Sequence, residues 1–173
     1  WVAPFLLIAS GQVLSLVGTQ LVQFAIVWWI TKSTGSATAL ATASMIALLP
    51  GIILGPFIGT LVDRWNRRRT MIIADSISAI AMGAMVYLFW SGNNQIWNIL
   101  IIIFIRAIAN SFHWPAMQAS MTLMVPKEHY PRVQGLNQMV MGIMMISAAP
   151  LGALLLDLLP LYGVLAIDIV TAI

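Results

Sequence analysis

Gly51-Ile-Ile-Leu-Gly55-Pro-Phe-Ile-Gly59-Thr-Leu-Val-Asp63-Arg64-Trp65-Asn66-Arg67-Arg68-Arg69 runs from an uncharged, glycine-punctuated stretch straight into an aspartate and four arginines. Gly51, Gly55 and Gly59 recur every four residues, so on a helix they share one face and permit close approach of a second helix. The uncharged run reaches back to Ser33, more than the roughly 20 residues that span a bilayer. The arginines end it, because charge is costly in hydrocarbon. Asp63 can pair with an arginine or cap a neighbouring helix N-terminus. On loop charge alone the cluster serves equally well as a topology anchor with solvated side chains.

Outward from this stretch the chain keeps the same character. Its 173 residues are 61% hydrophobic and 8% charged, against roughly 45–50% and 25% in soluble domains. Eight Lys/Arg and five Asp/Glu cannot clothe the wet surface of a globular protein of this length. A cytosolic enzyme and a disordered tail are excluded, and the absence of cysteine excludes a disulfide scaffold. The composition is that of an all-α polytopic membrane protein whose solvent is the lipid bilayer. The net charge of +3 sits in two short loops between uncharged runs, which is a topology signal and not a nucleic-acid footprint.

Hydropathy and turn signals predict spans at about Pro4 to Trp29, Thr38 to Leu61, Met71 to Trp90, Ile96 to Val125 and Val133 to Leu156. They are separated by Lys32-Ser-Thr-Gly35-Ser36, the arginine cluster, Ser91-Gly92-Asn93-Asn94, and a charged loop between Pro126 and Pro131. Pro115 predicts a kink inside the fourth span. From Pro160 onward 14 residues remain, roughly 21 Å of helix, which reads as a sixth span cut short. With Trp1 in place of an initiating methionine, the sequence reads as a piece of a longer protein. The first apolar run is too long, and lacks the basic lead-in, for a cleavable signal peptide. Arg64, Arg67, Arg68, Arg69, Lys127 and Arg132 lie in the loops after spans two and four, and only Lys32 lies in the alternate loops. The positive-inside bias therefore predicts a cytoplasmic N-terminus.

Gly59-x-x-x-Asp63-Arg64-x-x-Arg67-Arg68 resembles the loop 2–3 motif of the major facilitator superfamily, Gly-x-x-x-Asp-Arg/Lys-x-Gly-Arg-Arg/Lys. Asn66 stands where a glycine is usual, and Pro50 where the upstream glycine falls. Asparagine tolerates the left-handed backbone that a turn can require. The likeness continues through Met71-Ile-Ile-Ala-Asp75, the stretch from Phe104 to Ala116, Val125-Pro126-Lys-Glu128, Val133-Gln-Gly135-Leu136 and Ala166-Ile-Asp168, which look like the macrolide-efflux and enterobactin-exporter branch. The antiporter motif of the fifth span, Gly-Pro-x-x-Gly-Gly, is matched only in part by Ala149-Pro150-Leu151-Gly152.

The resemblance implies the N-terminal six-helix half of a transporter in the bacterial inner membrane, whose two halves rock about a midplane site. It implies that Gly59, Asp63, Arg64, Arg67 and Arg68 gate the cytoplasmic side against the missing C-terminal half. Helices one and four then line the cavity, and helices two and five face that half. The implied activity is export of amphipathic small molecules such as drugs, driven by protons, with no cofactor and no enzyme chemistry. A siderophore or lysophospholipid carrier of the same fold is an alternative, and a homo-oligomeric channel or assembly subunit is a rival from another class.

The residues that carry chemistry are the ionisable ones at membrane depth, since each costs about 2.5–3.5 kcal/mol to insert. Arg106 lies about 15 Å into span four and Asp168 about 12 Å beyond Pro160, so the two are placed to pair; otherwise either binds substrate or proton. In the resemblance the arginine of span four is tied to proton coupling. Asp75, one turn inside the boundary, is expected to pair with Arg67, Arg68 or Arg69. Asn110 and His113 share a helix face with Arg106. His113 reads as a pH-coupled group or as a hydrogen-bonded neutral histidine beside the kink. Gln12, Ser15, Thr19 and Gln23 form a polar stripe on span one that must face a cavity or another helix. Met141, Met144 and Met145, with Gln134, Asn137 and Gln138, suit a pocket for greasy cargo or ordinary packing. The sequence holds no metal-ligand constellation, phosphate-cradling loop or nucleophile elbow.

Overall fold

The computed structural model describes the backbone of residues 2–171 and the side chains of residues 10–62, 64–121 and 125–171. The chain forms α1 (Val2–Thr34), α2 (Ala37–Arg64), α3 (Arg67–Trp90), α4 (Ile96–Met124), α5 (Tyr130–Leu158) and α6 (Leu161–Thr171). Five of these helices are long and apolar enough to cross a membrane, and α6 is shorter. The turns are made by the residues that turns need. Gly35 and Gly92 take φ of +60° and +73°, where a side chain is strained and glycine is not. Ser36 caps α2 by accepting the Ala39 N–H at 3.3 Å. The helices run past the apolar stretches because flanking polar residues remain helical at the headgroup level. Lys32 does so over the face of Trp28, 4.5 Å from the ring centroid. Helix α4 continues unbroken through Pro115.

Helix α4 is gripped on both sides, by α2 and α3, while α1 packs along α5 and α6, and α3 closes the bundle against α6. The main core draws Val22, Ile26 and Ile30 from α1, Met82 and Met85 from α3, Ile99 and Ile102 from α4, and Leu165 from α6. A smaller cluster of Ile58, Val62 and Ala116, backed by Phe112, packs α2 on α4 nearer the arginine loop. The exterior is apolar: Ile52, Phe57, Ile80, Met145 and Ile146 are all more than half exposed. This is the inversion expected of a chain whose solvent is lipid.

Two glycines set how closely α1 is approached. A Cβ on Gly152 would collide with the ring of Phe24, and one on Gly18 would collide with the Thr171 hydroxyl and stand 3.1 Å from the Asp168 Cα. The glycine ladder of α2 behaves otherwise. Gly55 and Gly59 have nothing within 4 Å of an added Cβ, and Gly51 makes only an ordinary 3.7 Å contact with Ser111. Only its Gly51 end touches α4, so among the described residues the close helix contact that Gly55 and Gly59 permit is not made. In α5, Gln134 and Asn137 are used in packing: Gln134 Nε2 donates to the Gln118 Oε1 at 2.9 Å and Asn137 Nδ2 to the Met121 sulfur at 3.6 Å.

Gly152→Val should force the Phe24 ring aside and cost about 1–3 kcal/mol as overpacking. Gly142, with nothing within 4 Å, should accept alanine with a change below about 0.5 kcal/mol. Unfolding titrations of the two variants in mixed detergent micelles measure both.

Candidate functional site

Arg106 and Asp168 meet in the middle of the bundle. The guanidinium Nη2 donates to Asp168 Oδ2 at 2.7 Å, with the two side chains 15% and 7% exposed. The second carboxylate oxygen accepts the Thr19 hydroxyl at 3.1 Å. Three helices thus converge on one carboxylate. Thr19 comes from the polar stripe of α1, Arg106 from α4, and Asp168 from α6. Gly18 makes the meeting possible, because without a Cβ there the α6 backbone can lie against α1. Such a pair persists at membrane depth because each ion removes the other's unmet charge, while Thr19 fills a remaining lone pair.

About two turns along α4 stands a second pair. His113 Nε2 lies 3.2 Å from Asp75 Oδ1, and Asp75 is half exposed at 51%. The arginine loop is therefore not Asp75's partner. From Arg67, Arg68 or Arg69 it is six to eight residues along α3, about 9–12 Å of axial rise, and the carboxylate turns instead to His113 on α4.

Both pairs line a cleft of about 330 Å³ between α1, α3, α4 and α6. Gln12, Asn110 and Met141 share its wall. A smaller cleft of about 150 Å³ between α1, α2 and α4 is lined by Gln23 and again by Thr19, Arg106 and Asn110. Arg106 and Asn110 line both clefts, Gln12 the larger and Gln23 the smaller, while Gln134, Asn137 and Gln138 line neither. Among the described residues no group of three or more His, Cys, Asp or Glu side chains is placed to hold a metal.

The loop after α2 is built differently from its expectation. Asn66 has φ of −70° and caps α3, its side chain accepting the Arg69 N–H at 3.2 Å. It replaces glycine by capping, not by a left-handed turn. Arg67 is tied inward, its Nη1 donating to the Ala119 carbonyl at 2.9 Å, while Arg64 and Arg68 are exposed. Gly59 is exposed on α2, and the side chain of Asp63 lies outside the described residues.

Thr19 and Gly18 are the site residues that sequence reasoning underweighted. The α1 stripe marked Thr19 as inward-facing, but its acceptor lies 149 positions away. Nothing local distinguishes Gly18 from any other glycine.

A helical membrane bundle with charge pairs at its centre has a counterpart among known sequences. Residues 8–173 match the Major Facilitator Superfamily. The chain belongs to that family. It is 36% identical over 173 residues to the macrolide efflux protein A of Streptococcus pyogenes, covering all of this chain and 43% of that protein. The macrolide efflux protein A of Enterococcus faecalis is 36% identical over 80% of this chain and 43% of its own. The multidrug efflux pump Tap of Mycobacterium tuberculosis is 25% identical over 88% of this chain and 38% of its own. The chain therefore spans less than half the length of these curated relatives, matching their N-terminal portion. No solved structure gives a significant match. The chain is an integral membrane protein with the fold of the N-terminal half of a Major Facilitator transporter.

Breaking the central pair should be worse than removing it. Arg106→Leu or Asp168→Leu alone leaves a buried charge unmatched, and each should destabilise by about 3–5 kcal/mol, while the double variant should recover most of that loss. A double-mutant cycle on unfolding midpoints in detergent gives the coupling directly.

Proposed function

We propose that this chain is the N-terminal half of a secondary transporter that exports amphipathic small molecules in exchange for protons. The observation that carries the proposal is the cleft itself. It sets a buried Arg106–Asp168 pair beside a half-exposed carboxylate, Asp75, in walls that mix neutral polar side chains such as Gln12 and Asn110 with apolar ones such as Met82 and Met141. The relatives named as macrolide and multidrug efflux proteins support the class of cargo.

Antiport requires that proton and cargo exclude one another. A carboxylate that either binds a proton or receives a donor group of the cargo meets that requirement, since it cannot do both. Asp75 is the accessible carboxylate, and His113 beside it is of the residue type that exchanges protons most readily near neutral pH. Gln12, Gln23 and Asn110 offer neutral hydrogen bonds to cargo, and Met141 offers an adaptable apolar contact. Arg106 and Asp168 form the fixed charge pair against which α1, α4 and α6 register. Gly59, Asp63, Arg64, Arg67 and Arg68 act at the cytoplasmic gate. There the exposed glycine face of α2 meets the second half, and Arg67 anchors the loop to α4.

Two experiments test this reading. In vesicles containing the full-length transporter, an imposed proton gradient should drive macrolide efflux, and Arg106→Ala should lower that efflux at least about tenfold, the loss of one charge-assisted contact of about 1.4 kcal/mol. Asp75→Asn should abolish the dependence on the gradient while sparing exchange of labelled for unlabelled cargo. Efflux indifferent to both changes overturns the assignment. Because the chain has no cysteine, single cysteines report its orientation. Asn93→Cys should react with an impermeant maleimide in intact cells, and Glu128→Cys only after permeabilisation.

A further inference from the structure

A further cavity, larger than either cleft bordering Arg106, lies away from the charge pairs. A groove of about 570 Å³ lies on the opposite side of the α3–α4 pair, lined by Ile73 and Ile77 of α3, Ile108 and Phe112 of α4, and by Arg64 and Arg69 at one end. On α3 the groove residues Thr70, Ile73, Ala74 and Ile77 alternate at helical spacing with Asp75, Ser78, Ala79 and Met82, which face the central cleft. The groove therefore faces outward, and Ile73 and Ile77 are 59% and 41% exposed along it.

Its polarity is graded along one direction. From Arg69 to Ile77 is eight residues, about 12 Å of axial rise, and beyond Thr70 every lining side chain is apolar. At the arginine end Trp65 stacks on Phe112 with centroids 6.1 Å apart and planes 14° from parallel. A tryptophan at that level marks the headgroup region. Among the described residues no carboxylate pairs with Arg64 or Arg69, and the loop sets four arginines against one aspartate.

An apolar surface alone says nothing in a membrane protein. A concave one that begins at two arginines and descends two helical turns into hydrocarbon has the shape and charge order of one lipid molecule. We infer that this groove binds an anionic phospholipid, its phosphate and headgroup charge held by Arg64 and Arg69 and one acyl chain laid along Ile73, Ile77 and Ile108. A free phosphate makes no use of the apolar length, and a zwitterionic lipid places a cation where the arginines stand. A bound lipid here braces the α2–α3 loop against α4 from outside, complementing the Arg67 bond to Ala119 on the inner side.

Native mass spectrometry of the full-length protein in mild detergent tests the site, with phosphatidylglycerol and phosphatidylcholine of identical chains as probes. One phosphatidylglycerol should bind about tenfold more tightly than phosphatidylcholine. The double substitution Arg64→Gln with Arg69→Gln should remove that preference. Arg68→Gln, an equal loss of charge from the same loop but outside the groove, should leave it within about twofold. Ile77→Trp, which fills the apolar length and leaves the charge intact, should weaken both lipids together. Equal loss in Arg68→Gln shows a diffuse electrostatic effect and overturns the site, as does binding unaffected by Ile77→Trp. Displacement of the lipid by inorganic phosphate overturns the lipid assignment, and displacement by a macrolide transfers the groove to cargo. Circular dichroism of each variant confirms that the comparison is between folded proteins.

Discussion

A salt bridge at membrane depth has few ways to exist, and the Arg106–Asp168 pair uses one that organises the bundle around it. Both ions are largely buried, and neither tolerates the loss of the other. The pair therefore fixes α6 in height against α4 to within the length of two side chains. Thr19 extends the same constraint to α1. Gly18 then follows as a necessity, because α6 reaches that carboxylate position only by lying on α1 where a side chain would stand.

The distribution of burial follows from the same inversion of solvent. Helix α5 buries only Val133 and Gly152, yet Gly152 lets the Phe24 ring settle directly on its backbone. Helix α2 spends one face on α4, through Ile58 and Val62, and leaves its glycine face open. In water such faces would drive aggregation. In a bilayer they carry no hydrophobic penalty, and a glycine face becomes useful only when another helix comes close enough to exploit it.

Much of this was legible in the sequence because lipid imposes a long and simple signal. Uncharged runs of about 20 residues can hardly be read otherwise, and the turns were announced by Gly35 and Gly92. Even the central pair was one of two readings that came from counting residues inward from each end, since depth in a membrane is a one-dimensional coordinate. What stayed illegible was rotation about the helix axes. Asp75 lies nearer in sequence to the arginines than to His113, and only the side-by-side packing of α3 and α4 decides the partner. Asn66 could replace glycine by turning or by capping, and the choice rests on a single φ angle. The glycine ladder predicted a contact without saying whether its partner lies in this chain.

The α3–α4 pair shows how far one such rotation carries consequences. The same two helices present Asp75, Arg106 and His113 on one side and Ile73, Ile77 and Ile108 on the other. Each helix divides its circumference between a polar interior and an apolar exterior, with buried alanines such as Ala74 and Ala109 between them. Small residues there let the helices run close, so a displacement on one face must move the other, since packed helices have little slack to absorb it. Whatever settles in the outer groove therefore acts on the spacing of the helices that hold both charge pairs, without touching a charged residue of the cleft. Substitutions of the outer isoleucines and of the inner ionisable groups are for the same reason not independent. Their effects meet in the one helix–helix interface that separates the cleft from the groove.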